Sequence, residues 1–116
     1  MEKKSQDERR STERVAISSQ KPVYIQTTLD GTEVGLFVED LSVGGAGLIC
    51  PEDTDSLNAG NRLPDCILVL PNVGRIPLQA IIRWRLWPKV GLQFDSISDD
   101  AREQIARFLQ QNRSRA

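Results

Sequence analysis

The stretch RIPLQAIIRWRL, residues 75–86, alternates in side-chain character and so dictates a long strand buried on one face. Ile76, Leu78, Ala80, Ile82, Trp84 and Leu86 share one parity, while Arg75, Gln79, Arg83 and Arg85 share the other. Successive strand side chains point to opposite faces, so this period of two gives one core face and one solvent face. On that parity Trp84 is expected in the core with Ile82 and Leu86, and Arg83 and Arg85 are expected outside. Shorter alternations precede it. Val23, Ile25, Thr27 and Leu29 lead into Asp30-Gly31, a pair suited to a type I′ hairpin turn, and Glu33 to Asp40 follows with Val34, Leu36 and Val38 on one face. Pro71-Asn-Val-Gly74 separates two more strands, and VGLQFD supplies a short last one. About six strands at this spacing predict an antiparallel barrel or sandwich.

The C-terminus changes period. Ala101, Ile105, Phe108 and Leu109 fall at helical spacing, with Ser98 placed to cap the start and Asp99 and Asp100 in the first turn, which predicts a helix over 98–112. Residues 51–65, PEDTDSLNAGNRLPD, read as an acidic surface loop. Residues 1–14 carry Met1 and almost no other apolar side chain, too little to pack unaided, so residues 1–19 are expected to form a flexible arm ahead of one domain over 20–116. A length of 116 residues suits one such core.

Composition narrows the chemistry. The chain has no histidine, which removes the commonest general base, the commonest zinc ligand and any histidine-activated nucleophile. Cys50 and Cys66 lack metal-ligand spacing and are expected as buried free thiols. No apolar run approaches the roughly 20 residues of a membrane span, and the polar start lacks a signal-peptide core, so a cytoplasmic protein without membrane insertion is expected. Charge is unevenly spread: residues 1–21 hold six Lys/Arg against four Asp/Glu, residues 30–65 hold one against eight, and residues 66–116 hold eight against four. A net charge of -1 with 5% aromatic residues disfavours a single-stranded nucleic-acid barrel, which needs a basic groove and stacking rings. A hydrolase built on Asp40, Glu52, Asp53 and Asp55 is a weaker reading than an acidic solvated loop.

Two segments could carry recognition. RRSTER, residues 9–14, sets Arg10 and Arg14 with three residues between them, so a bent arm could place both guanidinium forks around one compact anionic or purine ligand. DLSVGGAG, residues 40–47, offers the Asp40 carboxylate, the Ser42 hydroxyl and the permissive backbone of Gly44, Gly45 and Gly47. Each has a plain alternative, solvated charge for the arm and turn capping with a kinked strand for the glycine segment.

RxxxR at Arg10 and Arg14, followed about 25 residues later by DxSxxG at Asp40, Ser42 and Gly45, on a chain of short strands with a terminal helix, resembles the PilZ domain family. The resemblance extends through DLSVGGAGL and VGLQF. It implies a six-stranded antiparallel β-barrel with a C-terminal helix and a flexible N-terminal arm, and a non-enzymatic receptor for cyclic di-GMP with no other cofactor. By motif position it implies that Arg10 and Arg14 contact guanine and phosphate, that Asp40 accepts from guanine N–H groups, that Ser42 hydrogen-bonds the ligand, that Gly45 allows close approach, and that Gly44 belongs to the same ligand-binding set. Arg9 matches a position that bears on whether one ligand or a stacked pair is bound. Arg83, Trp84 and Arg85 are further candidates, Trp84 by stacking on a purine and the arginines by neutralising phosphate. An unanchored arm that ligand orders would reshape and recharge one face, and that face is expected to meet a downstream protein partner; a ligand-free adaptor of the same fold is the remaining alternative.

Overall fold

The computed structural model of the chain describes residues 14–18, 20–50 and 55–113. Arg9, Arg10, Glu52, Asp53 and the side chain of Asp55 lie outside the described residues. Strands β1 (Val15–Ala16), β2 (Tyr24–Leu29), β3 (Thr32–Leu41), β4 (Gly45–Ile49), β5 (Arg62–Leu70), β6 (Gly74–Leu86) and β7 (Lys89–Ser96) precede one helix, α1 (Asp99–Arg113). The strands run in the order β3-β2-β5-β6-β7-β4, and pairing of β4 with β3 closes these six into an antiparallel barrel. Closure leaves these strands without an open sheet edge, which is how a small all-β domain avoids edge-to-edge association.

The turns form where their residues allow. Asp30 and Gly31 have φ of 52° and 81° between the paired Leu29 and Thr32, the two positive values that a type I′ hairpin requires. Pro71 and Asn72 turn β5 into β6, with Asn72 at φ 65° and the Val73 amide donating to Leu70 O at 3.2 Å, as at the centre of a type II turn. Residues of all six barrel strands fill the interior, where Ile25, Leu36, Leu48, Leu68, Ile82 and Leu92 are all buried. Cys50 and Cys66 are buried free thiols. Burial pushes Cys50 up to about 11, against a smaller lowering by the Arg85 charge; burial likewise raises Cys66.

Helix α1 starts at its cap. The Ser98 hydroxyl accepts from Ala101 N at 3.1 Å, and Ser98 O accepts from Arg102 N at 3.0 Å. Ala101, Ile105, Phe108 and Leu109 are buried in the same core as the barrel, on the spacing the sequence predicts.

Two segments differ from expectation. Within the expected arm, Val15 and Ala16 pair with Leu41 and Asp40, and the Ile17 amide donates to Glu39 O at 2.9 Å. This short strand continues the line of β2 along β3, and half-buried Val15 and Ile17 pack on the core, so apolar contact holds residues 15–17 against the barrel. Within the expected surface loop, Asp55–Leu57 forms a 3-10 turn that inserts Leu57 into the core at 0% exposure, and β5 already begins at Arg62.

Candidate functional site

Two single-residue insertions create the site. In β3, Val38 pairs with Leu48 but Asp40 pairs with Gly47, so Glu39 is an extra residue. In β6, Ile82 pairs with Leu92 but Trp84 pairs with Gly91, so Arg83 is an extra residue. A bulge of this kind re-aims every side chain beyond it. Plain alternation would send Asp40 inward after Leu36 and Val38, and Trp84 inward after Ile82. Instead Leu41 takes the core position at the end of β3, and Asp40 faces out. The expected core placement of Trp84 is corrected in the same way: its side chain is 44% exposed, and Leu86 beyond it is 75% exposed.

The register then sets these two residues in one cross-strand row. Ala16 pairs with Asp40, Asp40 with Gly47, Gly47 with Gly91, and Gly91 with Trp84. The two central positions are glycines on neighbouring strands, about 5 Å apart. Both outer side chains lie down over this floor. A Cβ added to Gly47 would stand 2.8 Å from Asp40 Oδ1, and one added to Gly91 would collide with the Trp84 indole. Asp40 Oδ1 accepts from the Gly47 amide at 3.1 Å and from Arg14 Nη1 at 3.0 Å. The sequence motif singled out Gly44 and Gly45 and gave no role to Gly91; the only local sign was a glycine inside a strand, which often marks a close approach.

Ser42 and Gly45 serve the turn itself. Ser42 is 3% exposed; its Oγ accepts from Gly45 N at 3.1 Å and donates to Gly45 O at 3.2 Å, while the Ser42 amide donates to the same carbonyl at 2.8 Å. A Cβ on Gly45 would run into the backbone oxygen of Leu92, so this glycine allows β4 to approach β7. Gly44 borders the groove, and its carbonyl accepts from Phe94 N at 2.8 Å.

The groove beside the row has a volume of about 450 Å³ and is lined by Arg14, Ser42, Gly44, Arg83, Trp84 and Gly91, among others. That size falls within the range of small-molecule sites, roughly 300–1,000 Å³. Arg85 is placed elsewhere: its guanidinium lies 4.8 Å from the Trp87 ring centroid and donates to Asn58 Oδ1 at 2.7 Å. A larger cleft of about 640 Å³, near Gln26, Asp65 and Arg75, contains none of the residues that the sequence motifs select. Among the described residues no cluster of His, Cys, Asp or Glu could hold a metal ion, and no helix is long and apolar enough to cross a membrane.

A family model described as the PilZ domain matches residues 8–111. Comparison with curated proteins finds no match. Among solved structures, the PilZ domain with c-di-GMP of YcgR from Escherichia coli superposes with a TM-score of 0.75 at 19% identity, covering 89% of this chain and 90% of that one. MrkH of K. pneumonia in its apo state gives 0.76 at 17% identity, covering 89% and 49%. The Bacillus subtilis inhibitor of motility MotI/DgrA gives 0.73 at 17% identity, covering 88% and 49%. The chain therefore spans about half the length of the latter two, and at these identities the likeness is one of fold.

Proposed function

This chain belongs to the PilZ domain family, and from that premise we propose that it is a receptor for cyclic di-GMP that acts by binding and has no catalytic step of its own. One observation carries the proposal: the bulges and the glycine floor put Asp40, Trp84 and the anchored Arg14 on one outer face of the barrel. That face combines what a guanine nucleotide needs. A carboxylate accepts from guanine N–H donors, a guanidinium fork chelates phosphate or the guanine Hoogsteen edge, and an indole stacks on the purine. Arg83, exposed beside Trp84, adds positive charge for phosphate. YcgR, solved with c-di-GMP, supports the ligand class.

The switch lies in Arg14. Its ion pair with Asp40 is half exposed, and such a pair is worth about 0–1 kcal/mol, so it yields readily to a charged ligand. On binding, Arg14 exchanges Asp40 for the ligand, and Arg10 and Arg9 close over it from residues 1–13. The recharged face then meets a downstream protein partner. One or two ligand molecules fit this scheme, the second held by Arg9. Ser42 and Gly45 act by building the turn that presents Asp40 and Gly47.

Calorimetric titration with cyclic di-GMP tests the proposal. The native chain is expected to bind at micromolar concentration or tighter. Arg14→Ala is expected to lose roughly 10- to 150-fold in affinity, the worth of a hydrogen bond to a charged group. A native chain that does not bind, or an Arg14→Ala chain that binds equally, overturns it. A fitted stoichiometry of two that falls to one in Arg9→Ala assigns the second molecule to Arg9.

A further inference from the structure

We infer that Gly91 is a positioning residue for ligand recognition and acts through Trp84. The inference rests on the receptor function proposed above. Gly91 is buried within β7, paired with Trp84 on one side and Gly47 on the other. The three atoms nearest to an added Cβ are Nε1, Cε2 and Cδ1, all of the Trp84 ring. An indole meeting Gly91 edge-on through Nε1 would hold both ring neighbours of that nitrogen well back. Here all three stand close, so the face of the ring covers the glycine.

Backbone conformation does not explain the residue. Gly91 is not in the positive-φ region, so an L side chain could adopt its backbone angles. A glycine inside a strand sacrifices packing and chain entropy. What requires it is the ring. Trp84 stands outside the core, and the bare peptide of β7 gives it a flat seat, with the ring's exposed part turned to the groove that Arg14 and Arg83 share. A ring immobilised before binding loses little rotamer freedom when a base stacks on it. A methyl group at position 91 would lift the indole off this seat and leave the barrel's pairing intact, because none of the nearest colliding atoms belongs to the backbone.

The test is a double-mutant cycle read by calorimetric titration with cyclic di-GMP, on the native chain, Trp84→Ala, Gly91→Ala and the double variant. Acrylamide quenching of Trp84 fluorescence is measured alongside, with Trp87→Phe present to leave one indole. Trp84→Ala and Gly91→Ala are each expected to lower affinity by roughly 5- to 150-fold, the range of one base–aromatic stack. In the Trp84→Ala background, Gly91→Ala is expected to change affinity by less than about twofold, since its effect passes through the ring. Quenching is expected to rise in Gly91→Ala without ligand. Native affinity in Gly91→Ala, additive losses in the double variant, or unchanged quenching overturns the inference. Equal binding by native and Trp84→Ala chains overturns it and leaves the receptor function standing, whereas no binding by the native chain removes both. If Gly91→Ala alone does not fold, the double variant decides: a folded chain with the affinity of Trp84→Ala supports the inference, and an unfolded one overturns it.

Discussion

Replacing Ser42 with alanine separates the two roles that DxSxxG allows this serine, a contact to ligand or a strut of the turn. The hydroxyl is buried and serves Gly45 twice, accepting from its amide at 3.1 Å and donating to its carbonyl at 3.2 Å. In Ser42→Ala the carbonyl keeps the Ser42 backbone amide at 2.8 Å, whereas the Gly45 amide loses its side-chain acceptor. A buried donor left unsatisfied costs about 1–3 kcal/mol. Urea unfolding with a slope of roughly 1–3 kcal/mol/M turns this into a midpoint lowered by about 1 M. Ligand affinity, measured where both chains are fully folded, is expected within about threefold of native, because the hydroxyl's bonds are spent on the turn. A variant of unchanged stability that loses affinity as heavily as Arg14→Ala would refute this account, since the hydroxyl would then serve the ligand directly.

Leu57 is the side chain that the 3-10 turn Asp55–Leu57 sends into the core, and it is fully buried. Leu57→Ala is expected to cost about 2–5 kcal/mol in the same urea assay, whereas a solvated loop would show a change near zero. Stability is also expected to fall at alkaline pH. The Cys50 thiol is raised from 9.0 to about 11 in the fold, so the unfolded chain gives up this proton first. The stabilisation from the neutral buried thiol is therefore complete below pH 9, declines as pH rises from 9 to 11, and amounts to on the order of 2–3 kcal/mol. Unfolding measured at pH 8 and pH 10.5 checks this, and Cys50→Ala is expected to flatten the decline.

Much of the architecture arises from local pattern. The hairpin at Asp30-Gly31 forms because two consecutive positive φ values suit that pair, and α1 begins at Ser98 because its hydroxyl and the apolar spacing after it agree. The long alternation of residues 75–86 does become a strand, inward-facing as far as Ile82. Two residues of the separate motifs also meet: Arg14 and Asp40, 26 positions apart in the chain, form an ion pair at 3.0 Å. Leu57 was less legible, because one leucine among acidic and turn-forming residues has no period to reveal its burial.

The sequence by itself determined the strands, their turns, the amphipathic helix and the residue types available for recognition, all of which depend on neighbours a few positions apart. Tertiary structure alone decided which side of the barrel Asp40 and Trp84 occupy. Alternation buries both, and only pairing with β4 and β7 exposes Glu39 and Arg83 as extra residues that reverse the facing of the side chains beyond them. Pairing likewise brought Gly47 and Gly91, 44 positions apart in the chain, together as one bare floor. A strand's register belongs to two chain segments at once, so no single stretch of residues can specify it.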